Sequence, residues 1–380
     1  MQVVILANAP SALIELCGIT LLERLLRTLQ RVGVREAVVI SETPEVIAAE
    51  LDKVSPPRNG IEVKLARERI AEGDLRLTLP GDAVWDARLL RLLLAQEQPS
   101  ALANFGMLTG ATVSRGDEEL KILEIAEQPT YSLVMRRDLP LLWIPAPESA
   151  ERKTAERRIL DAAQKGSQDL PALLHAPIEN FLVARLCKTR TTPNELTTLC
   201  NVVAWTTALL FASGHLVTGT LCALAVGVLD GLDGKQARVK VETSESGKLE
   251  QWFDTFYELA WALALAFHFH ASGELPGAYF YLLLLLLAEG VDGLAKLGII
   301  RRYGRLIDEL SPLDRKIRLL GGRRNIYIWI LAIGLLLGRA AQSFVVIAWW
   351  EAVSALVHVA RAAWTLWIRP FDFTRSSPAV

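Results

Sequence analysis

The chain is poor in cysteine and carries almost no net charge. Its 380 residues include four cysteines, whose spacing matches neither a zinc site nor a secreted disulfide framework: Cys17, Cys187, Cys200 and Cys222. The formal net charge is −1, and no basic domain or stripe stands out except beside apolar runs, which argues against nucleic acid as a partner. The chain also lacks a basic-then-apolar start, so we expect the N-terminus to remain in a reducing cytoplasm.

The first 175 residues have the pattern of an α/β domain. Continuous apolar runs at 3–7 and 37–40 predict strands that are buried on both faces of a parallel sheet. Helical periodicity at 21–32 and 87–96 places helices between strands. This alternation predicts a doubly wound sheet.

The order of these segments resembles the sugar nucleotidyltransferases. Cys17-Gly18-Ile19-Thr20-Leu21-Leu22-Glu23-Arg24 is similar to the G-x-P-L-L-E-R of that family, and Gly81-Asp82 to its metal-binding Gly-Asp. The glycine-rich phosphate loop of the family is missing, because residues 8–13 contain no glycine and no basic residue. Without glycines, backbone amides cannot closely surround a triphosphate. We therefore expect residues 1–175 to be a nucleotidyltransferase-like domain that is inactive.

The composition changes near residue 190, where long apolar runs begin. Six runs approach the roughly 20 residues that a spanning helix needs: 196–214, 216–229, 252–271, 275–297, 326–337 and 344–367. The second and fourth connections between them are basic, so the positive-inside rule places these connections and both termini in the cytoplasm. Residues 196–370 are thus predicted to form an all-α bundle of six transmembrane helices in the inner (cytoplasmic) membrane.

A mixed apolar and basic segment precedes the first of these runs. Residues 178–192 have the pattern of an amphipathic helix lying in the membrane interface. We assign residues 176–195 to this interfacial linker. An ordinary surface helix between two domains is the alternative.

Carboxylates lie at the edges of or inside the apolar runs, where an ionised side chain is costly and usually functional. Asp230 and Asp233 are three residues apart, and three more acids follow at four-residue steps, Glu250, Asp254 and Glu258. On helices these spacings put the side chains on one face. Two such faces brought together form a set of hard oxygen ligands suited to Mg²⁺ or Mn²⁺. Arg238 adds a group that binds phosphate with two parallel hydrogen bonds.

This region resembles the signature of the CDP-alcohol phosphatidyltransferases, D-x2-D-G-x2-A-R-x8-G-x3-D-x3-D. Its first half matches without gaps at Asp230, Asp233, Gly234, Ala237, Arg238 and Gly247. The second half departs from the signature, because Gln251 and Thr255 stand at the two positions where the signature has aspartates. A one-residue deletion makes Glu250 and Asp254 the third and fourth acids, whereas a three-residue insertion makes them Asp254 and Glu258. Residues 191–197 also resemble the T-P-N-x-L-T segment of the family, so the likeness covers about residues 178–370.

The resemblance implies a membrane phosphotransferase. Such an enzyme moves a phosphoalcohol, either a phosphatidyl group or a polyol phosphate, from a CDP-alcohol to an acceptor alcohol and releases CMP. The donor would be CDP-diacylglycerol or a CDP-polyol, and membrane lipids and a second copy of the chain are further expected partners. By the same resemblance, Asp230, Asp233 and the third acid hold two Mg²⁺ or Mn²⁺ ions, and the fourth acid accepts the proton of the attacking hydroxyl. The glycines Gly234 and Gly247, with Ala237 and Arg238, bind the CDP part.

The fourth connection carries further candidate binding residues. Arg301, Arg302, Arg323 and Arg324 lie at the ends of the fourth and fifth runs, and we expect them to line the same cavity and bind substrate phosphate. Two other functions remain open. The N-terminal domain would make the CDP-alcohol in a bifunctional enzyme, or the bundle would be a transporter or scaffold that uses Glu289, Asp292 and Lys296.

Overall fold

The computed structural model describes residues 1–53, 60–67, 74–116, 118–166, 169–242 and 247–368. Within the last of these ranges, the side chains of residues 247–251 and 368 lie outside the description. A sheet domain forms the N-terminal part of the described chain, and long helices form the C-terminal part.

The strands all belong to the N-terminal part. They are β1 Gln2–Leu6, β2 Glu15–Leu16, β3 Ile19–Thr20, β4 Glu36–Ile40, β5 Glu62–Ala66, β6 Arg76–Pro80, β7 Ala83–Trp85, β8 Ser100–Asn104, β9 Met107–Ser114, β10 Lys121–Glu124, β11 Tyr131–Ser132, β12 Arg137–Asp138 and β13 Trp143–Pro145. The main sheet has seven strands in the order β10-β8-β9-β6-β1-β4-β5. It is parallel except for β9, which pairs antiparallel with both β6 and β8. The α/β prediction is confirmed, and β9 is the element that the alternating pattern did not indicate.

Four helices belong to the sheet domain: α1 Leu21–Arg31, α2 Pro44–Leu51, α3 Ala87–Leu94 and α4 Arg152–Ala162. Leucines of α1 and α3, such as Leu25 and Leu89, form one buried apolar core with residues of the central strands, such as Ile5. Removing this apolar surface from water is the main stabilising contribution to the domain.

The helices that follow are α5 Ala172–Leu186, α6 Pro193–Ala212, α7 Leu216–Val239, α8 Gly247–Ala271, α9 Ala278–Tyr303, α10 Ile307–Leu310, α11 Pro312–Leu320, α12 Arg324–Leu336 and α13 Ala340–Ala363. Each of the six predicted apolar runs lies mainly in one of the helices α6, α7, α8, α9, α12 and α13. By length and composition alone, four stretches of the described chain are apolar enough to cross a membrane: Pro193–Ala212, Leu216–Val239, Pro312–Leu336 and Ala340–Trp367. The helix α9 is not among them, and it carries Glu289, Asp292 and Lys296 within its length.

The start of α6 shows how the sequence sets a helix boundary. The hydroxyl of Thr192 accepts from the backbone N–H of Glu195, and the Glu195 side chain accepts in return from the N–H of Thr192. This capping box satisfies two donors that an open helix end would leave without partners, and Pro193 fits the first helical position. The cap fixes α6 next to α7, which carries the first two acids of the predicted site.

Candidate functional site

A cavity of about 870 Å³ lies between α7 and the helices around it. The signature residues Asp230, Asp233, Gly234 and Arg238 line this cavity. Polar residues of four other helices line it as well: Glu258 of α8, Glu289, Asp292 and Lys296 of α9, Arg324, Asn325 and Tyr327 of α12, and Glu351 of α13. The first two acids of the spacing pattern, Asp230 and Asp233, therefore lie at the same cavity.

Arg324 joins two of the predicted acids. Its Nη2 lies 2.7 Å from Oδ2 of Asp230, and its Nη1 lies 3.2 Å from Oε1 of Glu258. The same guanidinium donates to the hydroxyl of Tyr257. Arg324 thus connects helices α7, α8 and α12 at the cavity wall, and its position between two carboxylates holds both of them toward the same space.

Asp233 is the most enclosed of the predicted acids, with 4% of its surface exposed. The hydroxyl of Thr197 on α6 donates to its Oδ2 over 2.7 Å, and the backbone N–H of Gly234 donates to its Oδ1. These two bonds hold the carboxylate in one orientation.

The chemistry of these donors fits a divalent cation. Asp230 and Glu258 both pair with Arg324. Carboxylate oxygens are the hard ligands that Mg²⁺ prefers. Among the side chains that the structure describes, no three His, Cys, Asp or Glu groups are close enough to hold one ion together. Glu250 and Gly247 were also predicted site residues, and the Glu250 side chain lies outside the described part.

The remaining signature residues hold the end of α7 in place. Arg238 lines the cavity, and its Nε donates to the carbonyl of Ala163 over 2.7 Å. A side chain on Gly234 would come 3.2 Å from Nη1 of Arg238, so glycine leaves the guanidinium its space. Ala237 contributes its carbonyl oxygen, which accepts from Arg31 of the sheet domain.

The four predicted arginines separate into two pairs. Arg323 and Arg324 line the cavity, whereas Arg301 and Arg302 are exposed in the last turn of α9 and do not line it. The reason is the length of α9, which continues more than one turn beyond Lys296, its last residue at the cavity. The expectation that all four line one cavity is therefore wrong for Arg301 and Arg302.

In the first ten residues of helix α5, two polar side chains are buried and four large apolar side chains are exposed. His175 and Glu179 are buried, while Leu173, Leu174, Ile178 and Phe181 are exposed. A side chain on Gly227 would come 2.8 Å from His175 Cε1, and one on Gly231 would come 2.2 Å from Glu179 Oε1. The two glycines of α7 thus admit the two polar side chains of α5 to the cavity. Burial lowers the pKa of His175 and raises the pKa of Glu179.

A fully buried lysine lies behind this contact. Lys235 donates to Gln164 and Asn180, and its Nζ lies 3.8 Å from Oε2 of Glu179. Sequence reasoning missed this network, as well as Thr197 and Tyr257. A signal existed for Thr197, which is the final threonine of the T-P-N-x-L-T segment, and for the pair His175 and Glu179, which are four residues apart on an apolar helix.

A second polar cluster includes other residues of the cavity wall. Nδ1 of His358 lies 2.6 Å from Oδ1 of Asp292, and Lys296 pairs with the same carboxylate. Tyr327 donates to Glu351, and both groups lie so close to Gly322 that a side chain there would collide with them. Of the charges suggested for a transporter, Asp292 thus pairs with Lys296 and with His358.

Comparisons with known proteins agree with the C-terminal part of this picture. Residues 190–366 match the CDP-alcohol phosphatidyltransferase family. A protein of Aquifex aeolicus named "Bifunctional IPC transferase and DIPP synthase" is 26% identical over 214 residues, which cover 54% of this chain and 46% of the relative. A protein of Thermococcus kodakarensis with the same name is 25% identical over 339 residues, which cover 75% of this chain and 77% of the relative.

Among solved structures, one match to part of this chain is at a low level. The crystal structure of HddC from Yersinia pseudotuberculosis gives a TM-score of 0.31 at 11% identity, and the match covers 41% of this chain and 98% of that one. The family match and the helices together identify residues 190–366 as a multi-pass CDP-alcohol phosphatidyltransferase domain, a phosphotransferase of a family that generally uses divalent metal ions.

Proposed function

We propose that this chain, whose C-terminal half is a CDP-alcohol phosphatidyltransferase domain, transfers a phosphoalcohol from a CDP-alcohol to an acceptor alcohol and releases CMP. One observation carries the proposal: the carboxylates of Asp230, Asp233 and Glu258 and the guanidinium of Arg238 line a single cavity. A diphosphate donor needs both kinds of group, cations for its charge and carboxylates for metal and proton.

The reaction exchanges one phosphorus–oxygen bond for another. The oxygen of the acceptor hydroxyl bonds to the phosphorus that carries the donor alcohol, and the bond from this phosphorus to the CMP oxygen breaks. The hydroxyl proton passes to a carboxylate, and CMP leaves with the bonding electron pair. Positioning and charge neutralisation supply most of the catalysis in such reactions.

The side chains take distinct parts in this proposal. Asp230, Asp233 and Asp254 would hold Mg²⁺ or Mn²⁺, two ions in our proposal, which neutralise diphosphate charge when bound. Glu258 is our candidate for the proton acceptor, because it lines the cavity and is held by Arg324. That assignment favours the alignment with a three-residue insertion. Arg238 and Gly234 would bind the CDP part, and Arg323 a phosphate of the second substrate.

The substrates we favour are phosphorylated polyols. The relatives named IPC transferase and DIPP synthase motivate this choice, and the many polar side chains of the cavity support it. A lipid donor, CDP-diacylglycerol, is the alternative that the same signature permits. We further propose that the protein lies in the inner membrane as a homodimer, with both termini and the sheet domain in the cytoplasm, where a CDP-alcohol would arrive.

The test is metal-dependent release of CMP by the purified full-length protein. CDP-inositol and CDP-diacylglycerol are each offered with a panel of acceptors, and mass spectrometry identifies the products. We expect release with Mg²⁺ or Mn²⁺, none after chelation, and none from Asp230→Asn. Asp52→Asn, an exposed acid of the sheet domain, is the control and should retain wild-type turnover. Equal CMP release from Asp230→Asn would contradict the proposed site.

A bifunctional enzyme is the second candidate, because the match to the Thermococcus kodakarensis protein extends into the sheet domain. The loop at residues 8–13 argues against it. It contains the short 3₁₀ helix Ser11–Leu13, and the hydroxyl of Ser11 donates to Asp82, the candidate metal ligand, over 3.0 Å. Release of pyrophosphate from CTP and a polyol phosphate by the full-length protein would establish the second activity, and its absence would exclude it.

A further inference from the structure

Charged side chains are buried at only one place in the sheet domain. Among the described residues up to 166, the only buried charged side chains are Glu23, Arg24 and Arg27, and all three lie on α1. Burying a guanidinium is costly unless its donors are matched. The burial of these side chains therefore indicates that this surface of the domain contacts another part of the chain.

The arginines of α1 bond to the end of the signature helix α7. Nη1 of Arg24 lies 2.5 Å from the carbonyl oxygen of Val239, and Nη1 of Arg27 lies 2.8 Å from that of Lys240. Nη2 of Arg31 lies 3.2 Å from the carbonyl oxygen of Ala237 and 2.7 Å from that of Glu242. Three arginines at positions i, i+3 and i+7 thus form one row along α1, and the row covers the last turn of α7.

The end of a helix is a suitable target for this row. The last carbonyls of an α-helix have no partner within the helix, and the helix dipole is negative at that end. Burial lowers the pKa of Arg24 to about 10, so its guanidinium stays charged at neutral pH. Arg27 is also paired with Glu23 at 2.8 Å and with Glu242 at 3.4 Å. Both terminal nitrogens of Arg24 are matched by carbonyls, and Nε and Nη1 of Arg27 by a carboxylate and a carbonyl, whereas Nε of Arg24 is buried without a hydrogen-bond partner in the described structure.

Two more contacts attach the sheet domain to the helices around the cavity. Gly18, in the turn between β2 and β3, lies so close to α5 that a side chain there would come 2.0 Å from the carbonyl oxygen of Cys187. Arg136 lies 3.4 Å from Asp308 of α10, a carboxylate that also pairs with Arg318 of α11. Arg137 and Lys165 of residues 1–175 line the cavity itself. The domain is therefore part of the cavity wall.

We propose that the sheet domain is a positioning element of the transferase site, and that Arg24, Arg27 and Arg31 fix the axial position and rotation of α7. Asp233 precedes Val239 by six residues, a rise of about 9 Å along the helix. Because the helix is rigid over this distance, fixing the position and rotation of its last turn also fixes the positions of Arg238, Gly234 and Asp233. This inference rests on the proposed function, and it gives a domain without a glycine-rich phosphate loop a role in transfer.

The experiment uses full-length protein and the donor that the activity screen identifies. Arg31 is only partly buried, so Arg31→Ala should fold. Loss of its two bonds should raise the KM for the CDP-alcohol about 5- to 20-fold and leave the KM for the acceptor unchanged. Arg31→Lys should restore part of the loss, because a lysine supplies one donor to the same carbonyls. Arg91→Ala, an exposed arginine on α3, is the matched control and should be silent.

Binding of CDP, measured by calorimetry without turnover, gives a second readout. We expect Arg31→Ala and Arg27→Lys to weaken CDP binding while retaining a cooperative thermal transition. Wild-type affinity and KM in both variants would overturn the positioning role. A lowered transition temperature with unchanged KM would overturn it as well, since that result indicates a structural tie only. If the wild-type protein neither binds CDP nor releases CMP, the transferase function itself is refuted.

Discussion

The two halves of the chain distribute charge in opposite ways. In the described part of the sheet domain, leucine, valine and isoleucine dominate the core, and the charged side chains that are buried lie on α1. In the helical half, large apolar side chains such as Leu221 and Leu336 are exposed, whereas Asp233, Asp292 and Glu351 are buried. Lipid around the second half explains the reversal, because apolar surface costs nothing there and charge must turn inward.

The comparison shows where buried charge indicates function. A soluble domain has little reason to bury arginines, so those of α1 indicate a junction. A membrane bundle buries carboxylates at a cost, so those of α7 and α9 indicate a site. Helix α5 lies between the halves and already follows the membrane rule, since His175 and Glu179 face inward.

The largest effect should come from the same substitution made once in each half. Asp233→Asn removes a buried carboxylate of the proposed site, and we expect transfer to fall by about 10²–10³-fold or more. Asp82→Asn removes the candidate metal ligand of the sheet domain and should leave transfer from a supplied CDP-alcohol unchanged. CMP release measures both. An equal loss of transfer activity in the two variants would contradict the assignment of the transfer site to the helical half alone.

A pair of leucines with similar exposure tests which solvent surrounds each half. Leu221 on α7 is 62% exposed and Leu108 on β9 is 64% exposed. Leu221→Arg should cost about 2–3 kcal/mol, because the charge would face hydrocarbon. Leu108→Arg should stay within about 0.5 kcal/mol, because the side chain faces water. The yield of folded protein extracted from membranes measures both, and similar yields would contradict a lipid-facing α7.

The positions of several strands and helices could be predicted from the sequence, because hydrophobic periodicity and composition are properties of short, continuous segments. The strands at 3–7 and 37–40 and the helix at 21–32 are where the apolar pattern puts them, as β1, β4 and α1. The antiparallel β9 was missed although buried and more exposed residues alternate along it, because such alternation does not determine the direction of a strand. The count of six spans was not matched, because neither α8 nor α9 is among the four stretches of the described chain that are apolar enough to cross a membrane.

The site was harder to predict wherever it depends on contacts between distant segments. Asp230 and Asp233 were found from a spacing within one helix. Nothing local indicated that Arg324, rather than Arg301, would reach Asp230 across 94 positions of sequence. The contact between Glu179 and Lys235 was missed for the same reason, since a side chain on Gly231 would collide with Glu179 where α5 approaches α7.

The contact between the halves can be weakened by one methyl group. Gly18 and Gly106 have nearly the same backbone angle, φ of +78° and +77°. Alanine carries a similar backbone strain at both, but only at Gly18 does the new atom meet a carbonyl, that of Cys187. We expect Gly18→Ala to lower the free energy of unfolding by about 1–2 kcal/mol more than Gly106→Ala. Thermal unfolding measures this difference in stability. Equal stability of the two variants would mean that the contact between Gly18 and Cys187 adjusts to the added methyl group without a cost.

The smallest effect should be a pH dependence that originates where the halves meet. Burial raises the pKa of Glu179, with Lys235 opposing that rise. Between the ordinary glutamate value and this raised value, the folded protein binds more protons than the unfolded chain, so stability falls as pH rises. Wild type should therefore gain stability relative to Glu179→Gln as pH is lowered from 7.5 toward 5, and the gain should level off below the ordinary value. Melting temperatures across this range measure it, with the exposed Glu274→Gln as the control for the substitution. A wild-type advantage that instead grew with rising pH would mean that Lys235 outweighs burial and that this carboxylate is ionised in the cavity.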